Sequence, residues 1–118
     1  PCIVFAEVFG SIQDNPNRKL STRPKMDLEE SKNYYKKISE MGKYLEDQGM
    51  PLAYHHHMGT VIENQEDTER LLENTHNSVK LTLDTGHMLF AQGNSEKILK
   101  DYSEKIIHIH CKDIRKKY

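Results

Sequence analysis

The residue types that can bind a metal ion or transfer a proton are concentrated in four short stretches of this sequence. Five of the seven histidines lie in two of these stretches. Imidazole and carboxylate groups together suit a divalent ion such as Mn, Co, Fe or Zn, and both groups also act as acids and bases. The stretches are Glu7, then His55-His56-His57, then Asp84 with His87, then His108-Ile109-His110 with Lys112 and Asp113.

Each polar stretch comes at the end of a short apolar run that is typical of a β-strand. Helix-periodic segments separate the runs, so the order β-α-β-α-β-α-β predicts a parallel sheet with right-handed crossovers. The carboxyl ends of parallel strands form the site in α/β folds, so the polar stretches are expected to lie close together. The predicted strands are residues 3–8, residues 51–54 leading into the histidines, residues 79–84 and residues 106–110.

Three helices are predicted to connect these strands. Asp27, with a glutamate three residues later, is typical of an N-terminal cap, and Gly49 ends the first helix. Asn64 caps the second helix and Ser95 opens the third. Residues 10–25 form a long loop, and loops of this length in a compact domain are usually functional or mobile.

Strand alternation predicts which histidines share a face of the sheet. His55 and His57 are expected on one face and His56 on the other, while His108 and His110 share a face. A set of His, Asp and His on neighbouring strand ends would bind a divalent ion. His56, on the opposite face, is expected to be a structural residue.

An ordinary structural interpretation also exists for several of these residues. His76 is isolated in a polar turn and is expected to be structural. The stretch from Asp84 to His87 could be a simple turn built with Asp and Gly. Glu7 could be an interior carboxylate paired with a lysine or arginine. These interpretations do not explain why four successive strands all end in polar residues.

Composition limits the classes of function. The chain has 118 residues, 36% of them hydrophobic and 30% charged, with a net charge of −1. Balanced charge gives no support for binding nucleic acid or a membrane surface, and no apolar run is long enough to span a bilayer. Cys2 and Cys111 are too few for a disulfide scaffold, so we expect a cytoplasmic protein in which Cys111 is a buried structural thiol.

Extended by their neighbours, the polar stretches form four longer motifs. They are Phe5-Ala6-Glu7-Val8 with Gly10-Ser11-Ile12, Tyr54-His55-His56-His57-Met58-Gly59-Thr60, Leu83-Asp84-Thr85-Gly86-His87, and His108-Ile109-His110-Cys111-Lys112-Asp113-Ile114-Arg115. In these motifs and their spacing the whole chain resembles the inosose dehydratases, which remove water from 2-keto-myo-inositol in myo-inositol catabolism. The last two motifs are shared more widely among the xylose isomerase-like TIM barrels, which include sugar isomerases and epimerases.

The resemblance implies an α/β fold that is part of a (β/α)8 TIM barrel. Complete barrels need about 250 residues, so residues 1–118 are expected to form a single partial domain. The four parallel strands correspond to barrel strands four to seven, joined by three crossover helices. The N-terminal and C-terminal parts of the barrel, with the last strand's ligand, are expected to be lacking.

The resemblance also implies a site that holds a divalent metal, Mn or Co, with Zn as a further option. Asp84 and His110 take the second and third ligand positions of the superfamily, and either His55 or His57 takes the first. The implied roles of the other residues are as follows: catalysis for His87, with Glu7 as the alternative base and Lys112 as oxyanion stabiliser, and substrate binding for His57 and Asp113.

The expected function is therefore the dehydration of a small polyol ketone. Two alternatives stay open: a sugar isomerase or epimerase of the same superfamily, and a non-catalytic half-barrel that self-associates. A homo-oligomer is expected in any case, because unpaired strand edges of a partial barrel favour association. An endonuclease-like role is disfavoured, because a net charge of −1 provides no basic surface for a phosphate backbone.

Overall fold

A computed structural model describes residues 1–115 as four strands that alternate with helices. Short 3-10 turns lie at Leu20–Thr22, in the loop before the first helix, and at Ser103–Lys105, before the last strand. In chain order the strands and α-helices are β1 Ile3–Phe5, α1 Leu28–Asp47, β2 Leu52–His55, α2 Gln65–Asn74, β3 Val79–Asp84, α3 Thr85–Phe90, α4 Ser95–Asp101 and β4 Ile106–His110.

The four strands form one parallel sheet in the order β1-β2-β3-β4. Tyr54 of β2 lies opposite Leu81 of β3, and Asp84 at the end of β3 lies opposite His110 at the end of β4. All four carboxyl ends therefore point the same way. The predicted parallel sheet is confirmed, and it gathers the polar strand ends at one edge.

A register shift in the β3–β4 pair sets the position of the last two histidines. Leu81 pairs with Ile106, whereas the next residue, Thr82, pairs with His108, so Ile107 is the extra residue of a bulge. Because side chains alternate along a strand, this single extra residue places His108 and His110 beside Thr82 and Asp84.

Helix α1 forms as its sequence predicts and covers the outer face of the sheet. Asp27 accepts a hydrogen bond from the backbone N–H of Glu30, whose side chain bonds back to Asp27 N, which is a complete capping box. The helix approaches β3 closely at Gly42, where a Cβ atom would lie 2.9 Å from Val79 Cγ2. A larger residue there would separate the helix from the sheet.

The apolar core lies between the sheet and its helices. One cluster joins α1, α2 and strands β2 and β3, and a second joins α2, α3, α4 and β3. Their fully or almost fully buried members are Ile38, Leu52, Tyr54, Ile62, Leu71 and Val79 in the first, and Leu72, Leu81, Leu83, Met88 and Ile98 in the second. The opposite face of the sheet carries His55, Asp84, His108 and His110.

Four sequence-based expectations need correction or restriction. The first strand is shorter than predicted, and Ile3 and Val4 are 38% and 40% exposed because β1 pairs with β2 alone, at the edge of the sheet. Cys111 is exposed, since it follows the other edge strand. The connection from β3 to β4 contains two helices, α3 and α4, so the described chain has four α-helices and not three. The fourth is the single partial domain expected over residues 1–118, because residues 116–118 lie outside the described part.

No helix among residues 1–115 is both long and apolar enough to cross a membrane.

Candidate metal centre

The candidate site is built around the carboxylate of Asp84, which has no solvent exposure. Asp84 ends β3 and is also the N-cap of α3, because its Oδ1 accepts the backbone N–H of His87 at 3.0 Å. The turn that the sequence allowed at this motif is therefore the start of a helix. This hydrogen bond fixes the carboxylate, so that Oδ2 faces the inner side of the strand ends.

Four side-chain nitrogens surround Asp84 Oδ2. Lys112 Nζ lies at 2.8 Å and His55 Nε2 at 3.2 Å. His110 Nδ1 lies at 3.4 Å and His87 Nε2 at 3.8 Å. These groups come from β2, β4, α3 and the segment after β4, so the tertiary structure converges on one oxygen atom.

The charge of Asp84 is stabilised by this environment. Burial raises the pKa of the carboxyl group, but the hydrogen bonds from Lys112 Nζ and from the His87 backbone N–H outweigh it and bring the pKa well below its usual value. Asp84 is therefore an anion at neutral pH, as a metal ligand must be.

Burial favours the neutral form of two histidines around Asp84, His55 and His87. Burial lowers the pKa of His55, although its hydrogen bond to Asp84 acts in the opposite direction. Burial and the neighbouring His57 lower the pKa of His87 to about 4. A neutral imidazole carries a free lone pair, so each ring can act as a ligand or as a base.

Within residues 1–115, two of the nitrogens that face Asp84 are buried and have no hydrogen-bond partner. They are His87 Nε2 and His110 Nδ1. The ligand atoms of His55, Asp84 and His87 also lie within 4.8 Å of one another. The unpaired His110 Nδ1 beside the buried Asp84 carboxylate fits a divalent cation, because the ion would satisfy both at once.

His57 stacks against His87 at the rim of the site, with ring centroids 3.8 Å apart. His57 Nδ1 lies 2.8 Å from the carbonyl oxygen of Met58, which only accepts hydrogen bonds, so Nδ1 carries the proton and Nε2 keeps a lone pair. The opposite holds for His87, whose Nδ1 accepts the N–H of Met58 at 3.4 Å, which puts the proton on Nε2.

His56 supports the site from the other face of the sheet, where strand alternation predicted it. It is fully buried, and its Nε2 accepts the backbone N–H of Asp84 at 3.1 Å. Burial lowers the pKa of His56 to about 3, so it stays neutral and keeps this hydrogen bond.

Two predicted site residues are not brought to Asp84. Glu7 lines a cavity between β1 and α1 with Phe5 and Tyr34, and its carboxylate accepts the N–H of Phe9. Asp113 is exposed and accepts the N–H of Ile114. In residues 1–115 neither side chain makes a hydrogen bond or ion pair to the Asp84 cluster. The described structure thus separates them from His55, His57, His87, His110 and Lys112.

The residues that hold the loops of the site were not predicted from the sequence. Arg23, from the long loop, makes ion pairs with Glu63 at 2.8 Å and Asp67 at 2.9 Å, and donates to the carbonyl of Thr60. Thr60 in turn donates to the carbonyl of His57. An arginine in a long loop was the available signal, but its partners lie about 40 residues away, and no periodic pattern links them.

Known proteins are similar in sequence to almost the whole chain. An inosose dehydratase of Clostridium perfringens (strain 13 / Type A) is 39% identical over 117 residues, which are 98% of this chain and 39% of that protein. The rhizopine catabolism protein MocC of Rhizobium meliloti is 34% identical over 113 residues, which are 96% of this chain and 35% of MocC. The chain therefore spans well under half the length of these relatives.

Similarity in fold extends to a solved structure of lower sequence identity. It is the probable 3-DHS dehydratase AsbF of Bacillus anthracis, with a TM-score of 0.66, 18% identity, and coverage of 77% of this chain and 32% of that one. The family model described as "Xylose isomerase-like TIM barrel" matches residues 2–117. With four parallel strands and a site at their carboxyl ends, the chain belongs to the xylose isomerase-like TIM barrel family.

Proposed function

We propose that this chain carries the metal site of a dehydratase that removes water from a cyclic polyol ketone such as 2-keto-myo-inositol. The observation that carries the proposal is the buried Asp84 carboxylate, on whose Oδ2 histidines from β2, β4 and α3 converge. The inosose dehydratases among its relatives, at 36–39% identity over nearly the whole chain, support the substrate class.

His55, Asp84 and His110 would hold a divalent ion, Mn or Co, with Zn as the third option. Their imidazole and carboxylate groups suit these ions, and His110 Nδ1 is buried with no hydrogen-bond partner in the described chain. When bound, the ion polarises the carbonyl or the adjacent hydroxyl and stabilises the negative charge that develops there.

The proton transfers fall to the stacked pair His57 and His87. His57 Nε2 has a free lone pair and takes the proton from the carbon next to the ketone. The His57 imidazolium formed in that step would return the proton to the departing hydroxyl, which leaves as water, and the Nε2–H of neutral His87 would hydrogen-bond to that hydroxyl. We assign Lys112, whose side chain is 51% exposed, to stabilising the oxyanion from the rim of the site.

Glu7 is a weaker candidate for the base than His57. Its carboxylate is engaged by the N–H of Phe9 at 2.9 Å, and it borders a mostly apolar cavity. A base must reach the proton that it removes, and His57 already stacks on His87 at the site.

The test combines metal content with product analysis on the 118-residue chain. The chain is loaded with Mn²⁺, its metal content is measured by elemental analysis, and it is then incubated with 2-keto-myo-inositol. A product lighter by one water, formed by the unsubstituted chain and not by the Asp84→Asn variant, supports the dehydratase. A product of unchanged mass supports the isomerase or epimerase instead. A metal-loaded chain that forms no product contradicts both and leaves a non-catalytic half-barrel.

A further inference from the structure

The charge around Asp84 is balanced by one side chain. Asp84 is fully buried, and a buried carboxylate without a counter-ion is strongly destabilising. The nearest nitrogen to Oδ2 is Lys112 Nζ, at 2.8 Å, and the lysine ammonium needs no added proton to be a cation. The three histidines near the same oxygen are at 3.2–3.8 Å and count as cations only if they are protonated. Lys112 is thus the counter-ion of the site as the structure describes it.

The backbone of Lys112 is fixed, while its side chain has room to move. The hydroxyl of Thr85 donates to the carbonyl of Lys112 at 2.7 Å and accepts the N–H of Lys112 at 2.9 Å. The absence of a side chain at Gly86 permits this approach, because a Cβ there would lie 2.7 Å from Lys112 Cβ. The Lys112 side chain is 51% exposed, so its ammonium can leave Asp84 for solvent without disturbing the backbone.

A divalent ion and the ammonium need the same place. The proposed ligands His55 and His110 face Asp84 Oδ2, and that oxygen is the atom that Lys112 contacts. Two cations within a few ångströms of each other repel, and the oxygen that both would contact is fully buried. The proposed ligand set cannot close around an ion while Lys112 keeps its present position.

We propose that Lys112 is a displaceable counter-ion: it neutralises Asp84 in the metal-free chain and is released to the exposed rim when a divalent cation binds. This inference rests on the proposed metal site. It adds that the lysine competes with the metal, so that the lysine stabilises the metal-free fold and weakens the affinity for the ion.

The first experiment measures the reactivity of lysines in the unsubstituted chain. The 118-residue protein is treated briefly with an acylating reagent, with and without Mn²⁺, and the labelling of each lysine is quantified by mass spectrometry. Labelling of Lys112 is expected to rise several-fold with Mn²⁺, because an ion-paired amine is protected and a released one is not. Lys100, exposed on α4, is the internal control and should not change. Equal labelling of Lys112 with and without bound Mn²⁺ would overturn the inference.

The second experiment replaces the lysine and measures Mn²⁺ affinity by calorimetry at fixed pH and salt. Lys112→Met is expected to bind Mn²⁺ about tenfold more tightly, because a competing cation has been removed. It should also have a lower Tm without metal and a larger rise in Tm with metal. Lys100→Met, which removes an exposed lysine on α4, should match the unsubstituted chain. If Lys112→Met does not fold, Lys112→Gln is measured instead.

The outcomes separate the two proposals. Unchanged or weaker Mn²⁺ binding by the Lys112 variant, with normal binding by the unsubstituted chain, overturns the counter-ion role and leaves the metal site standing. Binding by the variant alone supports the competition directly. Absence of Mn²⁺ binding in both chains overturns the metal site and the displacement together.

Discussion

At the scale of single residues, the site depends on the several hydrogen bonds and ion pairs that one carboxylate, that of Asp84, makes at once. Asp84 Oδ1 caps α3 through the N–H of His87, and Oδ2 faces Lys112 and three imidazole rings. The backbone N–H of the same residue is bound by His56. These contacts fix the orientation of the Asp84 carboxylate and of its backbone N–H. The residue is positioned before any ligand arrives, and this is what a metal site requires.

Removing the charge of Asp84 should abolish metal binding. Asp84→Asn keeps the side-chain shape and an acceptor for the His87 N–H, but it loses the anionic ligand. The Mn²⁺ affinity measured by calorimetry is expected to fall about 100-fold or more. This loss is larger than the loss expected when only a residue that hydrogen-bonds to a ligand is changed. Asp14→Asn, in an exposed loop, is the matched control and should bind Mn²⁺ as the unsubstituted chain does. Retention of full affinity by Asp84→Asn would exclude it as a ligand.

His56 should make the stability of the fold depend on pH. Its pKa in the folded chain is about 3, against 6.5 for an unperturbed histidine, so only the unfolded chain gains this proton between those values. Stability contributed by neutral His56 is therefore complete above pH 6.5 and is lost as the pH falls toward 3. The free energy of unfolding is measured by denaturant unfolding at pH values from 6 to 4. In His56→Gln its decrease with falling pH should be less steep by about 1.4 kcal/mol per pH unit. An unchanged slope would contradict the buried, neutral state of His56.

At the scale of elements, the loops at the carboxyl ends of the strands are tied together by Arg23. The long loop between β1 and α1 brings its guanidinium to the loop that joins β2 to α2, where it contacts Glu63, Asp67 and the carbonyl of Thr60. The Arg23 side chain is only 9% exposed, so these bonds are formed largely away from water. The same β2–α2 loop carries His57 and the Met58 N–H that fixes His87.

Loss of this clamp should cost much more than loss of a surface ion pair. Arg23→Met leaves two acidic groups without their cation, and the free energy of unfolding is expected to fall by about 3 kcal/mol. The matched control is Arg70→Met, which breaks the exposed pair with Glu66 on α2 and should cost about 0.5 kcal/mol or less. Urea denaturation measures both values. Equal losses in the two variants would show that the Arg23 cluster contributes no more than a surface pair.

At the scale of the whole molecule, the sheet has two edges. Within residues 1–115, β1 and β4 each pair with a single neighbour. Apolar side chains are exposed along both strands or just beyond them, with Phe9 at 86% and Ile109 at 47%. Unpaired edges with apolar side chains favour pairing with another chain.

We therefore expect the 118-residue chain to self-associate, a prediction that light scattering over a range of concentrations checks. Ile109→Lys places a charge on the β4 edge, and it should shift the protein toward the monomer. Leu28→Lys changes an equally apolar side chain, 74% exposed at the start of α1 and away from both strands, and it should leave the mass unchanged. If the unsubstituted chain is a monomer at all concentrations, the prediction that the sheet edges mediate self-association is wrong.

Much of the fold is encoded in short patterns, and the sequence predicts these features well. The capping box at Asp27, the N-cap at Asn64 and the strand at Val79–Asp84 form as predicted, because hydrogen bonds within a few residues decide them. The family and the parallel α/β sheet are confirmed for the same reason, since recurring motifs and the alternation of elements limit the topology. The clustering of His55, Asp84 and His110 follows once the strands are parallel. The ligand and catalytic roles assigned to these residues stay predictions.

The tertiary structure decided what depends on register and on distant packing. The bulge at Ile107 aligned His110 with Asp84, and no local pattern specifies a register shift. Gly86 and Thr85 allow Lys112 to reach Asp84, although 28 positions separate the ion pair in sequence. Glu7 lines a different cavity, with residues of α1, because β1 ends at Phe5 and Glu7 lies beyond the paired part of the strand. Local hydrogen bonding and periodicity fix elements, whereas ångström distances between strand ends depend on how the whole sheet and its helices pack.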